Sequence, residues 1–231
     1  NIKLAAKRIA WGKTLNSGQT CIAPDYLLLH KDIVQQFISE FTSAVCELHG
    51  PDVKESGHYV RMVSDKAYNR AKSYLKDGKI VSGGRFDDAE RYIEPTLLAD
   101  AALDAPVMTE EIFGPILPII SFSALKDAQD FVNSREKPLA LYYFGSERDG
   151  RAFIRHTSSG GACINDVIMH FANKNIPFGG VGTSGMGRYH GKESFNAFSH
   201  KRSVLSTSTL LDLPFRYMPY KAIDLVKKIL K

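Results

Sequence analysis

Cysteine is scarce in this chain and follows no framework. The three, Cys21, Cys46 and Cys163, lie far apart, are odd in number and show no CxxC spacing. That argues against a disulfide scaffold and against a zinc site, so no metal is expected. Reduced thiols in the cytoplasm are the simpler reading. Long apolar runs are also missing, and no stretch is long enough to span a bilayer. Basic runs are missing too. The 30 Lys and Arg leave a net charge of +5, but they are scattered and not interleaved with aromatics, so nucleic acid is not an expected partner. No repeat and no low-complexity tract is present.

What remains is ordinary globular material. The 231 residues are 44% hydrophobic and 24% charged, enough for one large domain or two small ones with a sizeable core. The chain opens at Asn1 without Met or signal peptide and enters a helical pattern at once, which reads as a piece of something longer.

Asn1 is suited to cap a helix from about residue 2 to 15, with Ile2, Ala5, Ala6, Ile9 and Ala10 on one face. The apolar run 26–30 predicts a strand covered on both sides. Asp32 is expected to cap a helix to about 48, with Ile33, Phe37, Phe41 and Val45 buried. Ser64 opens the next helix, which Gly78 ends. Strands are predicted at 79–84, 92–98, 115–121, 139–144 and 161–164, and helices at 127–133, 147–156 and 193–198. This alternation predicts an α/β fold with a mostly parallel sheet and helices on both faces. A late strand at 203–210 and a short amphipathic tail helix at 219–231 stand outside the alternation.

Four places carry candidate chemistry. Cys21 follows Asn16-Ser-Gly-Gln-Thr20, a small polar loop whose N–H groups suit a thiolate or an oxyanion. From the loop alone, a nucleophile and an ordinary buried cysteine are both open readings. Cys46 and Cys163 read as core. Glu110-Glu111-Ile-Phe113-Gly-Pro115 precedes a strand; two acids and an aromatic suit a sugar hydroxyl and a flat ring, but a solvated acidic turn is the commoner case. His170 follows a strand end, where a histidine is more often structural than catalytic. Gly180, Gly182 and Gly185 spell G-x-G-x-x-G, yet neither a strand before nor a helix after frames them as a dinucleotide fingerprint. A backbone that must turn or pass close to a neighbour accounts for them better.

Taken together, 16–21, 110–115 and Pro177-Phe-Gly-Gly180 resemble the catalytic half of the aldehyde dehydrogenase superfamily. The stretches Gly185-Met-Gly-Arg-Tyr-His-Gly191 and Phe198-Ser-His-Lys-Arg-Ser203 resemble its class 3 or fatty-aldehyde branch. The likeness covers essentially the whole chain. It implies that Cys21 attacks an aldehyde, that NAD or NADP accepts a hydride, and that water hydrolyses a thioester on Cys21. It further implies that Glu111 binds the nicotinamide ribose, that Phe113 packs near the ring, and that His170 and Phe178 lie near the aldehyde entrance. The family's cofactor domain, general-base glutamate and oxyanion asparagine match nothing here, so this piece alone is expected to be inactive.

The same resemblance divides the chain into a catalytic domain, 1–198, and an oligomerisation strand with a helical tail, 199–231. It also implies a homodimer and an aldehyde substrate of medium or long aliphatic or aromatic type. The location expected is cytoplasmic, with membrane association reserved for a longer chain. Two other classes stay in view: a cofactor-independent thiol hydrolase or acyl transferase, and a non-catalytic assembly module.

Overall fold

The computed structural model describes residues 1–212, 216–218, 224 and 227–228. The first unit, Asn1–Ala197, opens with α1 (Ile2–Thr14), β1 (Leu27–His30), α2 (Val34–His49) and α3 (Asp65–Ser73). Then come β2 (Lys79–Ser82), β3 (Phe86–Asp87), β4 (Tyr92–Ile93), β5 (Thr96–Ala99), α4 (Pro106–Thr109), β6 (Ile116–Phe122) and α5 (Leu125–Asn133). It closes with β7 (Ala140–Tyr143), α6 (Glu147–Arg155), β8 (Gly161–Ile164), α7 (Met169–Ala172) and α8 (Gly191–Ala197).

The main sheet runs β1-β6-β5-β2. β6 is parallel to both β1 and β5, and only the edge strand β2 is antiparallel. Pro118 has no N–H to give a ladder. It sits where β6 changes partner, pairing with Leu98 of β5, while the β1 register begins one residue later at Ile119. A second parallel pair joins β7 to β8, and β3 pairs with β4 as a small antiparallel ribbon.

Both faces of the main sheet are covered, because neighbouring strand residues point to opposite sides. Leu97, Leu117 and Ile119 join Ile9 of α1 and Phe37 and Phe41 of α2 in one cluster. Leu98 and Ile116 instead join Tyr68, Ala71 and Tyr74 around α3 in another. Two caps follow the predicted chemistry. The Asn1 side chain accepts from the Leu4 N–H at 3.0 Å, and the Ser64 hydroxyl accepts from Ala67 N–H at 3.2 Å.

Three local expectations need correcting. Asp32 does not cap α2. A single tight turn, Lys31–Ile33, precedes that helix, and the His30 ring accepts the Asp32 N–H. Cys46 is exposed, not core. It stands one position past Val45, about 100° around the helix from the Phe37–Phe41–Val45 stripe.

The third correction concerns the second unit, Phe198–Lys231. Residues 203–210 form no strand. A strand needs a neighbour for its N–H and C=O groups, and the described residues of this unit offer none. The predicted helix at 219–231 falls largely outside the described residues.

Phe41 is fully buried between α1 and the sheet. Phe41→Ala should destabilise the fold by about 3–5 kcal/mol, read as a lower urea midpoint with an unchanged slope.

Candidate active site

The loop between α1 and β1 is built on three consecutive left-handed residues, Asn16 (φ 52°), Ser17 (53°) and Gly18 (72°). Only glycine adopts this conformation freely; asparagine tolerates it better than most. Side chains hold the other two in place. The Asn16 amide donates to Gln19 O at 2.9 Å, and Gln19 Nε2 donates back to Asn16 O at 3.0 Å. Gln19 Oε1 accepts from Val63 N–H at 2.9 Å, and the Ser17 hydroxyl donates to Val60 O. The 60–63 segment therefore acts as a rail for the loop, and Arg61 ties that rail to Glu90 at 2.7 Å.

Gly18 passes hard against the second candidate loop. A Cβ on Gly18 would stand 2.3 Å from the Gly114 carbonyl oxygen. Only glycine allows the two backbones this close. The contact brings residues 16–21 and 110–115 together although they are remote in sequence. Downstream, Cys21 lies in a turn closed by Ala23 N–H to Thr20 O at 2.9 Å, with its thiol exposed.

Both acids line the cleft but make different contacts. Glu110 accepts from the Tyr74 hydroxyl at 2.7 Å. The Glu111 carboxylate faces a cleft that Cys21 and Phe113 also line. Burial, and then the nearby Asp25 charge, raise the Glu111 pKa above the usual carboxylate value, with Arg70 opposing. Phe113 holds a left-handed φ of 43°, and its neighbour Ile112 is fully buried, so the chain turns its aromatic outward while anchoring beside it.

His170 and Phe178 do not line that cleft. They lie in an aromatic cluster beside it, their rings 5.9 Å apart, with Tyr142 at 5.8 Å from His170 and Phe171 at 5.0 Å from Phe178. His170 Nδ1 is 3.3 Å from the Cys163 sulfur. Its ring presses on Gly161, where a Cβ would stand 2.7 Å from Cδ2. The cluster reaches the cysteine turn through Tyr142, whose hydroxyl donates to Ile22 O at 2.7 Å. The glycine-rich loop is a close backbone pass: a Cβ at Gly180 would lie 2.1 Å from Ser184 O, and Phe178 bridges to Tyr189.

Sequence reading missed four residues. Lys13, on the last turn of α1, is 1% exposed and donates to Pro24 O at 2.8 Å. Its signal was its place four residues after Ile9, in line with the buried stripe. Asp25, Arg70 and Tyr142 gave no signal, because their partners come from distant segments.

The aldehyde dehydrogenase family pattern matches residues 1–204. The dimeric NADP-preferring aldehyde dehydrogenase of Rattus norvegicus is 47% identical over 211 residues, 91% of this chain and 47% of that protein. The 4,4'-diaponeurosporen-aldehyde dehydrogenase of Staphylococcus aureus is 46% identical over 224 residues, 96% of this chain and 49% of that protein. A solved structure described as the substrate-bound state of Staphylococcus aureus AldH superposes with a TM-score of 0.91 at 45% identity, covering all of this chain and 51% of that one. A Mycobacterium tuberculosis aldehyde dehydrogenase complexed with NAD+ gives 0.78 at 27% identity, over 90% of this chain and 44% of that one.

The chain belongs to the aldehyde dehydrogenase family. Relatives 45–49% identical include several named as aldehyde dehydrogenase family 3 members. The chain spans about half the length of the curated relatives it matches.

Gly18→Ala should lower stability by about 1–3 kcal/mol, measured by denaturant unfolding, because it combines a left-handed φ with a clash on Gly114. A second prediction concerns acid. Burial holds the His170 pKa below its ordinary 6.5, so the unfolded chain takes up that proton first. This contribution to stability is intact above about pH 6.5 and is lost as pH falls. Thermal melts should show that loss, and His170→Phe should shallow it.

Proposed function

We propose that this chain is the catalytic portion of an NAD- or NADP-dependent aldehyde dehydrogenase that converts medium- or long-chain aliphatic or aromatic aldehydes to carboxylic acids. One observation carries the reading: an exposed thiol (Cys21), a carboxylate (Glu111) and an aromatic (Phe113) from distant segments line a single cleft.

Cys21 as thiolate adds to the aldehyde carbon, forming a C–S bond and a thiohemiacetal oxyanion. Backbone N–H groups of the tight turn suit that oxyanion. The residues fit a nicotinamide cofactor by chemistry: Glu111 offers acceptors for ribose hydroxyls, and Phe113 offers a flat apolar face in the same cleft. When bound, the cofactor supplies the acceptor for the hydride lost by the aldehyde carbon. Water then cleaves the thioester left on Cys21, returning the thiol and releasing the acid. The base for that water, and most of the cofactor's contacts, come from outside these residues.

His170 and Phe178 belong to the aromatic wall on the aldehyde side, which suits an apolar substrate. We read the working unit as a homodimer, with 203–210 pairing as a strand only against a neighbour, and as a cytoplasmic enzyme. Among the described residues no helix is long and apolar enough to cross a membrane.

In the full-length protein, Cys21→Ser should cut kcat by at least about 10³-fold, followed as NAD(P)H absorbance. The 231-residue chain alone should give no aldehyde-dependent NAD(P)H. Turnover by the serine variant would overturn the reading. So would ester hydrolysis that is indifferent to added NAD(P), which is the behaviour of a cofactor-independent thiol hydrolase.

A further inference from the structure

We propose that Lys13 and Asp25 are positioning residues: a brace that fixes the Cys21 turn against the Glu111 loop. The inference rests on the reading above, in which Cys21 and Glu111 share one reaction.

The segment that carries Cys21 touches the Glu111 loop at two points, one on either side of the thiol. Before it, Gly18 packs on the Gly114 carbonyl. After it, the Asp25 carboxylate accepts the Ile112 N–H at 3.2 Å. That N–H belongs to the peptide joining Glu111 to Ile112. The carbonyl of the same peptide, Glu111 O, accepts from Arg70 at 2.6 Å, and Arg70 also reaches Ile112 O at 3.0 Å. The peptide next to the Glu111 side chain is therefore held at its N–H from the cysteine segment and at its C=O from α3. Rotation of this peptide would swing the Glu111 carboxylate, and the clamp prevents it.

Lys13 holds the other end. Its ammonium is buried and donates to Pro24 O at 2.8 Å, which anchors the residue before Asp25 to α1. Burial lowers its pKa to about 8, and the charge acting against that fall is Asp25. Asp25 in turn is pushed up by burial and held down first by Lys13 and then by the Ile112 N–H. A methionine would fill the Lys13 site without the cost of burying a charge. What the two side chains add is direction: the Lys13 ammonium is aimed at Pro24 O and the Asp25 carboxylate at the Ile112 N–H. A misplaced nucleophile or cofactor ligand is costly to rate even at sub-ångström scale.

The test uses the full-length enzyme, with steady-state kinetics in both substrates and circular dichroism to establish folding. Asp25→Ala should lower kcat/KM for NAD(P) by about tenfold while leaving KM for aldehyde near the wild-type value. Asp25→Asn, which keeps an acceptor for Ile112 but strands the Lys13 charge, should also be impaired. Lys13→Met, which fills the site but leaves Pro24 O without its donor, should lower kcat/KM for NAD(P) in the same direction. If Asp25→Ala does not fold, Asp25→Asn and Lys13→Met carry the test.

Folded Asp25→Ala or Lys13→Met variants with wild-type kcat and KM for NAD(P) would overturn the brace. Cys21→Ser separates the two levels. If it is inactive while the Asp25 variants behave as wild type, only the brace fails. If it still turns over aldehyde, the reaction reading fails and the brace with it.

Discussion

The site depends on one steric permission: the absence of a side chain at Gly18. Its backbone lies against the Gly114 carbonyl, where a Cβ would stand 2.3 Å away. A second contact, from the Asp25 carboxylate to the Ile112 N–H, holds the same two loops together on the far side of Cys21. The left-handed run Asn16–Gly18 gives the chain the curvature to make it. The Gln19 and Ser17 side chains then lock the curve to the 60–63 segment. Strain of this kind survives only where surrounding contacts over-determine it.

Two kinds of scaffold meet at the cleft. One is polar: the Glu111–Ile112 peptide bound from both sides, with Lys13 anchoring the residue before Asp25. Its parts are charged side chains bonded to backbone groups, which fixes their direction. The other is aromatic: His170, Phe171, Phe178 and Tyr142, packed edge to face, with one hydroxyl reaching the cysteine turn at Ile22. Polar groups thus fix the backbone on one side of the cysteine turn, and packed rings brace it on the other.

Much of the fold was legible because buried strands announce themselves. The apolar runs 115–121 and 139–144 read as strands and hold β6 and β7, and β8 matches the predicted Gly161–Ile164. The helices at 34–49 and 147–155 follow from 3.6-residue spacing. Errors came where the reading needed a neighbour or a finer angle. Cys46 lies one position beyond the buried stripe. The segment 203–210 has strand composition, but composition supplies no partner for its backbone, and the described residues of its unit hold no strand to pair with.

The sequence by itself determined the family, the alternation of strands and helices, and the chemical types available: one thiol in a polar loop, one acid–aromatic loop, one glycine-rich pass. These are local, and local pattern is what a sequence carries. Tertiary structure alone decided which of them meet. It placed Cys21, Glu111 and Phe113 on one cleft and set His170 and Phe178 beside it. It also turned Lys13, which composition would assign to solvent, into a buried anchor. The physical reason is that a buried charge is tolerated only where partners converge from remote segments, and convergence is a property of the folded chain.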